Sequence, residues 1–134
     1  MGYYSRLVFQ SLRLLSRVGR PISRRLIPWF LTFMSFLIPD KRLFETETLV
    51  AFHHPRPSYR VHILLLPKAA IASPHELDPN EHGQFLADLF RAVHALVDEF
   101  HLQDTGYRLI TNGGEHQDIP LLHFHLVSAA DPDP

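Results

Sequence analysis

A chain of 134 residues suffices for one domain with a buried core. Its 46% hydrophobic and 20% charged residues exclude a disordered chain, and the lack of cysteine excludes a disulfide framework, a thiolate metal site and a thiol nucleophile. The net charge of −1 hides an asymmetry: residues 1–39 hold six arginines and no acid, whereas residues 40–134 hold seven basic and fourteen acidic side chains.

The first segment, residues 1–39, reads as a basic amphipathic leader. Arg6, Arg13, Arg17, Arg20 and Arg24 fall on one narrow helical stripe, with Leu7, Val8, Leu12, Leu14, Leu15 and Val18 on the other side. Pro21 breaks or kinks that helix. Residues 26–38 then run uncharged for thirteen positions and include Trp29, Phe30, Phe33 and Phe36. The run is too short to span a bilayer, and no uninterrupted apolar run reaches the roughly 18 residues a span requires. Three readings stay open for residues 1–38: an anchor on a membrane surface, a helix packed on the domain or on a partner, and a targeting leader. The expected localisation is cytoplasmic, peripheral at a membrane under the first of these. A short acidic tail of alternating Asp and Pro closes the chain, and residues 129–134 are expected to fray.

Between leader and tail, residues 40–128 read as one compact domain. Thr48 to His53 is a predicted strand, His53 to Pro57 a loop punctuated by two prolines, and Arg60 to Pro67 a second strand. A long helix follows, with Asp78 as N-cap, Pro79 at the first position and Glu81 completing a capping box. Leu86, Leu89, Phe90, Val93, Leu96, Val97 and Phe100 keep helical spacing along it. Gly106 marks its exit, Tyr107 to Thr111 is a third strand, Asn112-Gly113-Gly114 a turn and Leu121 to Val127 a fourth strand. The predicted fold class is α+β, an antiparallel β-sheet with one long helix, preceded by the amphipathic leader.

Ten histidines are many for this length. His123-Phe124-His125 puts two imidazoles on the same face of a strand, because strand side chains alternate. Two such groups can divide labour, one attacking or accepting a proton while the other holds an anionic oxygen. The Gly-Gly turn upstream can bring backbone N–H groups to a phosphate. His62 shares a face with Leu64 and Leu66, and adds a third imidazole if its strand lies in the same sheet. Imidazoles two apart on a strand also suit zinc, with His62, His53 or His54 as third ligand. His75, His82, His94 and His101 read as solvated helix-side groups, and His116 lies in a loop.

Three stretches resemble the histidine triad (HIT) superfamily in its Hint-like branch. The first is Leu49-Val50-Ala51-Phe52-His53 followed by His62-Ile63-Leu64-Leu65-Leu66-Pro67-Lys68. The second is Gly106-Tyr107-Arg108-Leu109-Ile110-Thr111-Asn112, and the third runs from Gln117 through Val127. The resemblance implies a hydrolase or transferase that cleaves at the α-phosphate of a nucleotidyl substrate, a phosphoramidate or similar. His123 takes the place of the nucleophile that becomes nucleotidylated. His125 and His62 take the places of histidines that contact the phosphate or assist the leaving group, and Asn112 bonds near it. Phe52 and His53 match residues around the nucleoside, and His54 stands where an acid holds the ribose. Gln117, Asp118 and Ile119 fall in the phosphate-side stretch. The resemblance implies no cofactor and no metal, a homodimer with joined sheets, and no nucleic-acid partner.

The chain departs from that pattern in five places: besides His54 in place of the acid, the loop from Asn112 to Gln117 is two residues shorter, and three further changes accompany these. Leu121 stands where the first histidine of the triad would be, Asp118 where a serine would be, and the cysteine pair near the start of many members is missing. These departures favour an alternative, a non-catalytic nucleotide-binding domain tethered to a membrane surface or partner by its leader. A metal-dependent hydrolase using His62, His123 and His125 is the third reading.

Overall fold

In the computed structural model of the chain, residues 41–128 are described. The predicted leader over 1–39 and the predicted tail over 129–134 lie outside the described residues. The strands are β1 (Phe44–Glu45), β2 (Leu49–His53), β3 (His62–Pro67), β4 (Tyr107–Thr111) and β5 (Phe124–Ser128). They form one antiparallel sheet in the order β1-β2-β3-β5-β4. Between β3 and β4 lie the long helix α1 (Gly83–Glu99) and the short α2 (Leu102–Thr105). The α+β architecture predicted from the sequence is the one observed.

Alternation along the strands divides the sheet into two faces. Leu49, Ala51, Ile63, Leu65, Phe124 and Leu126 join a core with Phe85, Leu89, Ala92, Val93, Leu96 and Val97 of α1. That helical stripe recurs at three- and four-residue steps, as an amphipathic helix facing a core requires. The other face carries Val50, Phe52, His62, Leu64, Leu66, His125 and Val127. Register places Phe52 opposite Leu64, Leu64 opposite His125, and His62 opposite Val127. No helix among the described residues is long and apolar enough to cross a membrane.

Several boundaries differ from the sequence reading. The helix starts at Gly83, not after Asp78. Asp78 does cap, accepting the Asn80 N–H at 2.9 Å, but the turn it caps closes on itself. The carbonyl of Asp78 takes the His82 N–H, and the His82 ring takes the Asp78 N–H at 3.0 Å. The helical ladder then begins with Leu86 N–H to the His82 carbonyl. The fourth predicted strand begins at Phe124 instead of Leu121. Leu122 N–H bonds to Ile71 O at 2.9 Å, outside the ladder, yet the chain stays extended enough to keep Leu122 on the α1 side. Two elements were not predicted: β1, whose two residues carry no readable period, and α2, entered through His101 at φ 54°. Gly106 leaves α2 at φ 82° and ψ 154°, backbone that only glycine adopts without strain.

A buried carboxylate fastens α1 to the hairpin of β1 and β2. Asp88 accepts hydrogen bonds from Thr48 Oγ1 at 2.6 Å, Thr46 Oγ1 at 2.9 Å, Gln84 Nε2 at 3.0 Å and Arg91 at 2.9 Å. The Thr48 hydroxyl leads these in holding the Asp88 carboxyl below the usual carboxylate range, against the opposing effect of burial.

Candidate functional site

Four imidazoles gather on the face away from α1. His62 and His125 sit on neighbouring strands with ring centroids 5.2 Å apart. His123, one residue before β5, meets His125 edge-on at 4.9 Å. His54, just past β2, stacks on His62 at 4.2 Å and 22°, and the stack reaches His125 at 6.0 Å. The alternation argument for His123 and His125 and the shared sheet required of His62 are both met in the structure.

Backbone groups settle the tautomers, because an N–H only donates and a carbonyl only accepts. The Ser58 N–H donates to His62 Nδ1 at 3.1 Å, so neutral His62 carries its proton on Nε2. His62 Nε2–H therefore donates to His125 Nδ1 across 2.9 Å, and His125 in turn carries its proton on Nε2. His123 runs the opposite way. Its Nδ1–H donates to the Leu121 carbonyl at 2.7 Å, which leaves Nε2 with a lone pair. The site thus offers one nucleophilic nitrogen on His123 and one N–H donor on His125.

Burial keeps these rings neutral. Desolvation lowers the pKa of His62. It also lowers that of His123, opposed by the Leu121 carbonyl and by the nearby charge of Asp118. His125 falls from the ordinary 6.5 to about 3, first through burial and then through repulsion from His123, His62 and His54. A neutral His123 is the form that can attack.

His54, His62 and His125 each bring a ring nitrogen within 4.8 Å of the others, close enough to consider a metal. Their hydrogen bonds argue against it. A metal-bound histidine donates its second N–H to an acceptor. Here Nδ1 of His54 accepts from the Arg56 N–H at 2.9 Å and Nδ1 of His62 accepts from Ser58, so both rings hold a proton on Nε2, where a ligand needs a lone pair.

The remaining predicted site residues divide into two groups. Phe52 lies on the imidazole face, 2% exposed. Asn112 follows β4 one step beyond the Thr111–Phe124 pair, level with His123, and Thr111 Oγ1 holds the His123 carbonyl at 2.9 Å. Asp118 is exposed, with its charge felt at His123. Ile119 is buried at 7% exposure in the same loop. Gln117 fixes that loop, its Nε2 donating to Ala72 O at 2.6 Å and Ile119 O at 2.8 Å. His53 is the correction. It lies at the end of β2 on the α1 side and packs edge-on against Phe100 at 5.7 Å, away from the cluster. In the Gly113-Gly114 turn the N–H groups of His116 and Gln117 bond back to the carbonyls of Gly113 and Gly114. His75, His94, His101 and His116 are exposed and His82 half-buried. The sequence reading missed Ser58, Arg56 and the Leu121 carbonyl, which act through main-chain atoms and leave no side-chain signature.

Sheet and helix agree with what comparison with known proteins finds. The model of the HIT domain family matches residues 35–131, and the chain belongs to that family. A HIT family hydrolase from Clostridium thermocellum superposes with a TM-score of 0.67 at 31% identity, covering 78% of this chain and 92% of that one. An uncharacterised HIT-like protein of Azospirillum brasilense is 36% identical over 91 residues, 66% of this chain and 75% of the relative. The purine nucleoside phosphoramidase of Escherichia coli is 27% identical over 92 residues, 67% of this chain and 76% of the relative. At family level the chain groups with hydrolases.

Proposed function

We propose that this chain hydrolyses a nucleotidyl substrate at its α-phosphate, through a nucleotidyl-histidine formed on His123. One observation carries the reading. The 2.7 Å bond from His123 Nδ1–H to the Leu121 carbonyl leaves Nε2 bare, beside the donor ring of His125. In the first step the Nε2 lone pair forms a bond to phosphorus and the bond from phosphorus to the leaving group breaks. An amine leaving group departs with a proton from water. In the second step the hydroxide so formed attacks phosphorus, the P–N bond to His123 breaks, and a nucleoside monophosphate is released.

His125 supplies an N–H to a phosphoryl oxygen as charge builds there. His62 positions His125. The nucleotidylated His123 is cationic, and the Leu121 carbonyl and the Asp118 charge both favour a cation on that ring. Phe52 and His54 flank the nucleoside, Asn112 bonds near the leaving group, and Gln117 and Ile119 shape the loop that brings Asp118 in. The phosphoramidate class is supported by the activity for which the Escherichia coli relative is named. The edge strand β4 and its exposed Tyr107 (40%) support a homodimer joined along that strand.

The test is release of AMP from adenosine 5′-phosphoramidate by the purified chain and by His123→Ala, with both folds checked by circular dichroism. Turnover that survives in His123→Ala overturns the reading. Asp118 favours a second reading, because its exposed carboxylate repels an incoming phosphate. In that reading the domain binds nucleotide without chemistry, and titration gives measurable affinity while no phosphoramidate is turned over.

A further inference from the structure

The imidazole site is polarised from one end to the other. In the strand order β2-β3-β5-β4, His54 lies just past β2, His62 on β3, His125 on β5 with His123 just before it, and Asn112 just past β4. Neighbouring strands are about 4.8 Å apart, so β2 and β5, with β3 between them, stand roughly 10 Å apart. At the β5 end is Asp118, whose charge is felt at His123. At the β2 end the loop that leads to His62 carries the exposed Arg56 and Arg60, and no acid occurs from Thr48 to His75.

His54 takes part in neither step at phosphorus. The Arg56 N–H fills the lone pair of its Nδ1 at 2.9 Å and Nε2 carries the proton, so the neutral ring gives a hydrogen bond and cannot accept one. Stacking on His62 at 4.2 Å and 22° orients that ring. A sugar hydroxyl beside it needs another acceptor for its own proton. A phosphate dianion only accepts, and the two arginines of the loop favour it further.

The proposed hydrolysis puts the leaving group by Asn112, on the β4 side, and the nucleoside by Phe52 and His54, on the β2 side. Resting on that reading, we infer that the nucleoside bears a second phosphate, a monoester on its 2′ or 3′ oxygen, which takes the His54 Nε2–H and lies against Arg56 and Arg60. The substrate class is then a sugar-phosphorylated nucleotidyl compound, with one phosphate at His123 for reaction and one at His54 for recognition. Attraction at the arginine end offsets the repulsion that Asp118 exerts at the other.

Binding of unreactive nucleotides to the full chain tests this without turnover. The probes are AMP, adenosine 2′,5′-bisphosphate, adenosine 3′,5′-bisphosphate and ADP, titrated at pH 7 and low salt. ADP adds its phosphate on the leaving-group side and controls for charge alone. One of the bisphosphates is expected to bind at least about tenfold tighter than AMP, as a hydrogen bond to a charged group gives, while ADP gains less. In Arg56→Gln with Arg60→Gln, which keeps the main-chain N–H that fixes His54, the gain shrinks several-fold. In His54→Asp, whose carboxylate repels phosphate and accepts from hydroxyls, the gain disappears. Bisphosphates that bind no tighter than AMP overturn the inference, as does a gain that ADP matches or one that survives His54→Asp. Both arginines are exposed, so their variant decides if His54→Asp does not fold, and an undiminished gain there also overturns the inference. Failure of the hydrolysis is seen separately. A chain that prefers the bisphosphate through His54 but turns over no phosphoramidate supports this inference and refutes that reading. Turnover that His123→Ala abolishes, with no preference for a bisphosphate, does the reverse.

Discussion

His62 donates a hydrogen bond from Nε2 to Nδ1 of His125 across 2.9 Å, and the Ser58 N–H sets the direction of that bond by occupying Nδ1 of His62. A main-chain donor on the loop between β2 and β3 thereby decides which nitrogen of His125 faces the substrate as N–H. His62 touches no reacting atom in this scheme; it positions one that does.

The relay can be tested by replacing His62 with a side chain that keeps it or one that does not. His62→Gln retains an oxygen to accept from Ser58 and an N–H to give to His125, whereas His62→Ala retains neither. If the relay sets the His125 tautomer, kcat falls about 10- to 100-fold in His62→Ala and KM changes little, while His62→Gln recovers much of kcat. Equal losses in both variants would mean that bulk at this position matters and proton placement does not.

Acid acts on the cluster in a definite direction. His62, His123 and His125 have lower pKa values folded than unfolded, so the unfolded chain binds more protons between the two values. Their contribution to stability is complete above the ordinary 6.5 and is lost as pH falls below it, continuing for His125 toward about 3. Urea midpoints measured from pH 7 down to pH 4 are expected to fall steadily, and less steeply in His125→Asn. Turnover falls over the same range as His123 acquires a proton on the nitrogen that attacks. A urea midpoint flat across the range contradicts burial of neutral rings.

Asp118 sets two effects against each other. Its charge repels a nucleotide phosphate, and it favours positive charge on His123. Asp118→Asn is expected to lower KM several-fold at low salt, with the difference shrinking as salt screens the charge. The acid limb of the rate profile moves to lower pH, since one of the influences that raise the His123 pKa is gone. Steady-state kinetics at two ionic strengths and a pH series check both. A KM unchanged at low salt would show that the carboxylate stays clear of the phosphate.

Much of this site was legible in sequence because strand alternation is strict. His123, His125 and His62 were assignable to faces from spacing alone, and the imidazole cluster follows once β3 and β5 pair. Alternation also places His53, which follows Phe52 by one residue, on the α1 side, whereas the family resemblance alone had grouped it with Phe52. The early helix start failed for a different reason. Asp78, Pro79 and Glu81 are good N-terminal residues, but they close a separate turn before the ladder begins, and propensity does not distinguish one turn from the first of five. Asp88 was unreadable, since its partners Thr46 and Thr48 lie about forty positions away in the chain.

The two faces of the sheet should be separable by mutation. Leu89 is 1% exposed in the core between α1 and the sheet and touches nothing in the imidazole cluster. Leu89→Ala removes about 2–5 kcal/mol of stability by leaving a cavity there. The sheet carries the histidines on its other side, so the fraction that remains folded keeps the native kcat and KM. Urea unfolding gives the first quantity, and kinetics well below the unfolding midpoint give the second. A Leu89→Ala chain that is folded yet loses turnover would show that packing under α1 reaches through β3 and β5 to set the spacing of His62 and His125.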